Sequence, residues 1–245
     1  MSGITMIETV EHTSRVPRSK AEIAKAIAAD IPAGSYVNLG IGQPTTVASY
    51  LTAESGVILH TENGMLNMGR EAVGDEIDPD LINAGKVPVI ELPGTSFFHH
   101  ADSFAMMRGG HLDVCVLGAY QVSQHGDLAN WHTGAPEAIP AVGGAMDLAT
   151  GAKDVLVMMT LFTKAGEAKI VPVCSYPLTG IGCVSRVYTD VATFCVGPEG
   201  VTVTETFGLS LAELQTRMDT QLHRLEDAPT RAEPRYLRPS IDFRS

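Results

Sequence analysis

Apolar positions along this chain follow two periods, which divide it into helices and strands. Behind Ser19, with Glu22 three residues on as a capping box, Ile23, Ala26 and Ile27 recur at helical spacing until Pro32-Ala33-Gly34 interrupts them. Short apolar runs at 36–39, 57–60, 113–118 and 155–159 have the composition of strands covered on both faces. Further strands are expected at 169–173, 185–188, 192–196 and 201–205, and a short helix at 45–51 with Pro44 at its entry. A last capped helix starts at Ser210, with Glu213 three residues on and Leu211, Leu214, Met218 and Leu222 facing inward. Between Gly64 and Gly110 the periodicity fails among Gly, Pro, Asp and His, and this stretch reads as a long irregular region, of a length that is usually functional or contains short elements of its own. Strands and helices interleaved in this way predict an α/β fold, an open, mostly parallel sheet flanked by helices. The pattern gives one domain over 19–226, a flexible arm over 1–18 and a proline-bearing tail over 227–245.

One strand end carries candidate chemistry. The run at 57–60 leads directly into Thr61-Glu62-Asn63-Gly64. Asn-Gly is a turn pair, because both residues adopt positive φ at little cost, so the strand stops at a corner beside Glu62. A side chain on such a corner has little freedom to retreat, as with the hydroxyl on the strand-turn-helix elbow of serine hydrolases. Two readings stand for Glu62 at this level: a carboxylate nucleophile or a solvated turn residue.

Composition then narrows the function. The 44% apolar content is enough for a sizeable core, and no apolar run approaches the roughly 18 residues of a spanning helix. The first twenty residues hold no apolar stretch of the secretory kind, so a cytoplasmic protein away from membranes is expected. Cys115, Cys174, Cys183 and Cys195 form no C-x-x-C pair and sit among apolar or β-branched neighbours, as small buried thiols of a reducing compartment do. A net charge of −11 without a basic face argues against nucleic acid. His99 and His100 are adjacent rather than four apart, so no metal site is expected. Neither a G-x-S-x-G elbow nor a cysteine in an activating context is present.

Two glycine loops each admit two roles. Gly40-Ile41-Gly42-Gln43-Pro44-Thr45 joins a strand to a helix, either as a tight turn or as a loop that brings backbone N–H groups to an anion. Val142-Gly143-Gly144-Ala145-Met146-Asp147 either turns into a helix or leaves amides open for an oxyanion.

Together with longer strings, these pieces resemble the second (B, or β) subunit of the family I 3-oxoacid CoA-transferases. The strings are Asp80-Leu81-Ile82-Asn83-Ala84-Gly85-Lys86, Ala101-Asp102-Ser103-Phe104-Ala105-Met106-Met107-Arg108-Gly109-Gly110-His111, Gly126-Asp127-Leu128-Ala129-Asn130-Trp131, the Gly143-Gly144 loop and Pro177-Leu178-Thr179-Gly180. The family's catalytic Glu belongs to a Ser-Glu-Asn-Gly motif that falls on Glu62, with Thr61 in place of Ser and Asn63-Gly64 completing the turn. The resemblance implies a ping-pong reaction through a glutamyl-CoA thioester. It also implies an oxyanion donor at Gly144, with Gly143 shaping the turn, and a place for Gly40 and Gly42 near CoA or the acyl group. Ser103 falls near an active-site Asn of some relatives. No cofactor is implied, since CoA thioesters are substrates. The implied partner is a CoA-transferase α subunit in an α2β2 assembly.

The acceptor is read from two segments. Phe97-Phe98-His99-His100 and His132-Thr133-Gly134-Ala135-Pro136-Glu137-Ala138-Ile139-Pro140 look like the branch that moves CoA from succinyl-CoA to 3-oxoadipate, in aromatic degradation through β-ketoadipate. A dicarboxylate acceptor needs a cation or amide cluster for its far carboxylate. His99, His100, His132 and Arg108 are the candidates. Acetoacetate as acceptor, and a non-catalytic ligand-binding member of the fold, are the alternatives. The chain departs from the family pattern at Asn67, Arg70 and Gln43, where the family usually has Gly, Pro and Leu or Ile; Asn67 and Arg70 either add polarity that alters acyl-chain preference or sit outward.

Overall fold

In the computed structural model, residues 16–135, 137, 139–140 and 142–224 are described. The chain runs through α1 (Lys20–Asp30), β1 (Tyr36–Leu39), β2 (Ile58–Thr61), β3 (Met65–Glu71), β4 (Val89–Phe97) and α2 (His100–Arg108). Next come β5 (Val114–Leu117), β6 (Gln121–Ser123), β7 (Leu128–Ala129), α3 (Ala145–Gly151) and β8 (Asp154–Met158). The last part holds β9 (Ile170–Val171), β10 (Val184–Tyr188), β11 (Ala192–Gly197), β12 (Gly200–Thr206), α4 (Leu211–Thr216) and β13 (Leu222–Arg224).

Ten strands form one sheet in the order β13-β12-β11-β10-β8-β5-β1-β2-β3-β4. Its centre, β10 through β2, is parallel, and antiparallel neighbours extend both flanks. Alternate residues of the central strands enter opposite layers. Val114 and Val116 of β5 pack with Ile23 and Ile27 of α1, while Cys115 and Leu117 join Met107 of α2 and Leu148 of α3. Both faces are covered, so the runs are apolar throughout, and each fully buried side chain of this size contributes about 1.5–3 kcal/mol. Among the described residues no helix is long and apolar enough to cross a membrane, and no disulfide joins the four cysteines.

The capping box of α1 forms as expected, with the Ser19 hydroxyl and the Glu22 carboxylate each bonded to the other's backbone N–H. Most of the expected arm, residues 1–15, and the expected tail lie outside the described residues. Arg18 is fixed: its guanidinium donates to the Thr189 and Ala192 carbonyls and to the Thr193 hydroxyl, and it lies over the Phe207 ring.

Three expectations are corrected. The stretch between Gly64 and Gly110 is largely regular, holding β3, β4 and α2. Its pattern fails because β3 and β4 pair with register shifts on either side of Met68, and β4 is an edge strand, where Pro93 needs no hydrogen-bonding partner. The helix expected at 45–51 is a 3-10 helix over Gln43–Tyr50, in which the Thr45 and Thr46 hydroxyls donate to the carbonyls three residues back. The last helix stops at Thr216. The Gln215 side chain accepts from the Leu222 N–H and donates to the Met218 and Thr220 carbonyls, turning the chain back into β13. Leu214, Met218 and Leu222 are buried as expected, but Leu222 reaches the core from a strand.

Asn67 sits at the first register shift of β3 with φ 63°, and its side-chain N–H donates to the Pro93 carbonyl at 3.0 Å. A left-handed conformation costs a β-branched residue about 1–2 kcal/mol and Gly nothing comparable. Asn67→Val is therefore expected to lower unfolding stability in urea by about that amount, and Asn67→Gly by less. Equal losses in the two variants would contradict a backbone origin.

Candidate active site

The turn after β2 places Glu62 at the carboxyl ends of the parallel strands, where open α/β sheets keep their ligand crevices. Four contacts fix that turn. The Gly64 N–H donates to the Thr61 carbonyl at 3.1 Å, and the Thr61 hydroxyl accepts from the Met65 N–H at 3.2 Å. The Gly64 carbonyl accepts from the Phe98 N–H at 3.0 Å, and the Asn63 amide donates to the Ile82 carbonyl at 2.8 Å. A Cβ on Gly64 would lie 2.2 Å from the Phe98 carbonyl oxygen, and φ there is 114°, so the corner takes glycine alone. Thr61 in place of Ser keeps the hydroxyl that closes the turn.

Gly144 meets Glu62 across the site. A Cβ on Gly144 would lie 3.1 Å from the Glu62 Cγ, and 3.6 Å from both its Oε1 and the Phe104 ring. The Gly144 N–H has no hydrogen bond to the described residues, while Gly143 turns the loop with φ 47°. A recess at Glu62 is lined by Ile41, Thr45, Asn83, Ala84 and Gly85. From the first glycine loop, then, Ile41 and Thr45 reach the recess. Gly40 is held by close approach to β5, its N–H on the Val116 carbonyl at 2.8 Å, and Gly42 opens the 3-10 helix.

Glu62 is half-buried. Burial pushes its carboxyl above the usual carboxylate range; its own backbone N–H, the Asn38 amide and the His100 charge pull it part of the way back. Beneath it, His60 is buried, and burial lowers its pKa to about 4, so its ring is neutral at pH 7.

The structure separates the four cationic candidates. His100 is exposed on the first turn of α2, its ring 4.8 Å from that of Phe104, and its charge acts on Glu62. His99 is the N-cap of α2, its Nδ1 accepting from the Ala101 N–H. Arg108 ties α2 to α3 through Asp147 at 2.6 Å, and the His132 Nδ1 accepts from the Gly134 N–H. His99 and Arg108 are thus held by bonds within and between α2 and α3, and of the four candidates it is His100 whose electrostatics reach Glu62. Ser103, also expected beside substrate, is fully buried under the turn, its hydroxyl bonded to His60 and to the Thr61 carbonyl. Asn67 and Arg70 do not reach Glu62 either: Asn67 binds β4, and Arg70 pairs with Glu76 on the surface. Asn38, His60 and Asn83 were missed in the sequence. The signal for the first two was a polar residue inside each of two apolar strand runs. Among the described residues no group of His, Cys, Asp or Glu is arranged to hold a metal.

A carboxyl whose pKa rises on folding stabilises the native state below its unfolded value of 4.5, and that contribution is lost as pH rises through the folded value. Glu62→Gln removes the ionisation. Its melting temperature should exceed that of the unmodified chain at about pH 7.5, by a margin that shrinks toward zero near pH 4. A lower melting temperature at the higher pH would show that burial does not dominate at Glu62.

Residues 20–206 match the family model described as Coenzyme A transferase. The chain is 65% identical over 187 residues to the 3-oxoadipate CoA-transferase B subunit of Pseudomonas putida, covering 76% of this chain and 87% of the relative. It is 61% identical over 198 residues to the protein of that name from Acinetobacter baylyi, covering 80% and 91%. The succinyl-CoA:3-ketoacid coenzyme A transferase B subunit of Helicobacter pylori is 44% identical over 200 residues, covering 81% and 96%. Among solved structures, an acyl-CoA transferase of Escherichia coli O157:H7 superimposes with a TM-score of 0.66 at 19% identity, over 84% of this chain and 42% of that longer one. A variant of the decarboxylase AibA/AibB superimposes with a TM-score of 0.61 at 19% identity, over 85% and 87%. The solved structures show the fold, which serves more than one chemistry. From its match over residues 20–206 and from these relatives, the chain belongs to the Coenzyme A transferase family.

Proposed function

We propose that this chain is the nucleophile-bearing β subunit of a transferase that moves CoA from succinyl-CoA to 3-oxoadipate. One observation carries the reading: a half-buried Glu62 carboxylate is held on a glycine corner, with its side chain directly against Gly144. A carboxylate is a weak nucleophile in bulk water, and fixed approach with partial desolvation raises its reactivity. In the proposed reaction the Glu62 oxygen adds to the thioester carbon, the C–S bond breaks, and a glutamyl anhydride and CoA thiolate result. The thiolate then adds to the glutamyl carbon, and succinate leaves with its oxygen. The 3-oxoadipate carboxylate reverses both steps, which restores Glu62 and yields the new CoA thioester. Each addition places negative charge on an oxygen, for which the Gly144 N–H is the proposed donor.

The relatives named for 3-oxoadipate support that acceptor, and so does His100, an exposed imidazole whose electrostatics reach Glu62 and whose ring N–H can donate to the far carboxylate of a diacid. The names of the relatives, each one subunit of a larger enzyme, also support a partner α subunit, here proposed in an α2β2 assembly in the cytoplasm. CoA thioesters are substrates, and no cofactor enters the proposed reaction.

The test is intact mass of this chain, purified with its α subunit, after brief exposure to succinyl-CoA without acceptor. The expected result is a CoA-sized adduct on Glu62, absent in Glu62→Gln, that 3-oxoadipate discharges faster than acetoacetate. No adduct would remove the mechanism, and faster discharge by acetoacetate would change the acceptor. Turnover should be lost on the acid side at a pH above the ordinary carboxylate value of 4.5, because protonated Glu62 is no nucleophile. Gly144→Ala should fold normally and lower kcat by about 10–100-fold, since its methyl group displaces the Glu62 side chain. Unchanged kcat in that variant would separate Gly144 from the reaction.

A further inference from the structure

On the buried side of the Glu62 turn, three polar side chains link β1, β2 and α2. Asn38, His60 and Ser103 are 0%, 1% and 0% exposed. Asn38 and His60 are register partners on adjacent parallel strands, and both point toward the α2 side of the sheet, since their neighbours Val37, Leu39 and Leu59 fill the α1 side. The Asn38 Nδ2 lies 3.1 Å from the His60 Nδ1 and 3.2 Å from the His60 carbonyl. The Ser103 hydroxyl lies 3.0 Å from the His60 Nε2 and 3.1 Å from the Thr61 carbonyl.

The direction of each bond follows from its neighbours. An Asn38 atom facing a backbone carbonyl must be a donor, so the amide nitrogen is the atom turned to His60. A donor on the His60 Nδ1 makes that nitrogen an acceptor and puts the ring proton on Nε2. The ring therefore donates to the Ser103 oxygen, and the Ser103 hydrogen goes to the Thr61 carbonyl. Burial keeps His60 in this singly protonated form at neutral pH, its pKa being about 4. The Thr61 carbonyl also accepts from the Gly64 N–H at 3.1 Å. The peptide joining Thr61 to Glu62 is thus held from two sides, by its own turn and by α2.

Stability alone does not account for such a chain. A buried hydrogen bond adds little net stability, and apolar side chains of the same shape can serve nearly as well. Direction is what the polar chain adds, because a hydrogen bond constrains angle as well as distance. Direction matters here: a misplacement of about 1 Å at a reacting group can lower rate by about 100-fold.

We propose that Asn38, His60 and Ser103 are positioning residues that lock the Thr61–Glu62 peptide and so aim the Glu62 carboxylate at the acyl carbon. This inference rests on Glu62 being the nucleophile. It is tested in the chain purified with its α subunit, through rapid mixing with succinyl-CoA and following the rate of the Glu62 adduct by intact mass, well below the melting temperature of each variant. Ser103→Ala should slow adduct formation by about 10–100-fold, while the KM for succinyl-CoA stays within about threefold. His60→Leu should be equally slow, and His60→Gln, which keeps a donor for Ser103, should recover much of the rate. A merely structural role predicts a lower melting temperature with a normal rate in the folded complex, and no advantage of Gln over Leu. If the unmodified complex forms the adduct and Ser103→Ala forms it equally fast, the positioning role is wrong and the Glu62 reading stands. If the unmodified complex forms none, both fall. Should Ser103→Ala not assemble, the comparison of His60→Gln with His60→Leu decides: equal rates overturn the proposal.

Discussion

The Phe98 carbonyl oxygen lies where a side chain on Gly64 would begin, and the rest of the site depends on that approach. With the Phe98 N–H bonded to the Gly64 carbonyl, it brings the junction between β4 and α2 against the corner at which β2 ends. α2 then starts beside the corner, with His100 and Phe104 toward the open side and Ser103 beneath. Phe104 in turn faces the position of Gly144, so the loop before α3 meets Glu62 from across the site. One missing side chain sets the distance among a strand end, a helix start and a glycine loop.

Glu62 shows opposed requirements. Partial burial makes a carboxylate more reactive but favours its protonated form, which cannot attack. The surroundings balance the two: burial raises the pKa, while the Glu62 backbone N–H, the Asn38 amide and the His100 charge limit the rise. Deep burial without those partners would leave a neutral acid at the corner. Full exposure would leave a well-hydrated ion.

The departures at Asn67 and Arg70 have local explanations once the backbone is known. Asn is tolerated at position 67 because φ is 63° there, and its amide is bonded to β4. Arg70 is paired bidentately with Glu76 away from the recess. Neither brings polarity to Glu62. Gln43 differs, since its Oε1 is buried without a hydrogen-bond partner among the described residues, and nothing in the structure explains it.

Features that depend on neighbours along the chain were legible in the amino acids alone. The capping boxes at Ser19 and Ser210, the parallel strands with both faces apolar and the Asn63-Gly64 corner behind Glu62 are all local or periodic signals, because the partners lie within a few residues. Pairing of β3 with β4 was illegible, since register shifts and an edge position remove the alternation a strand normally shows. The sorting of histidines was equally hidden. His60, His99 and His100 differ in burial and partners, which are set by contacts 22 to 43 residues away for His60 and by the helix start for the other two. Which polar groups meet Glu62 was settled by the packing of α2 and α3 against the strand ends, because distance in space there is unrelated to distance along the chain.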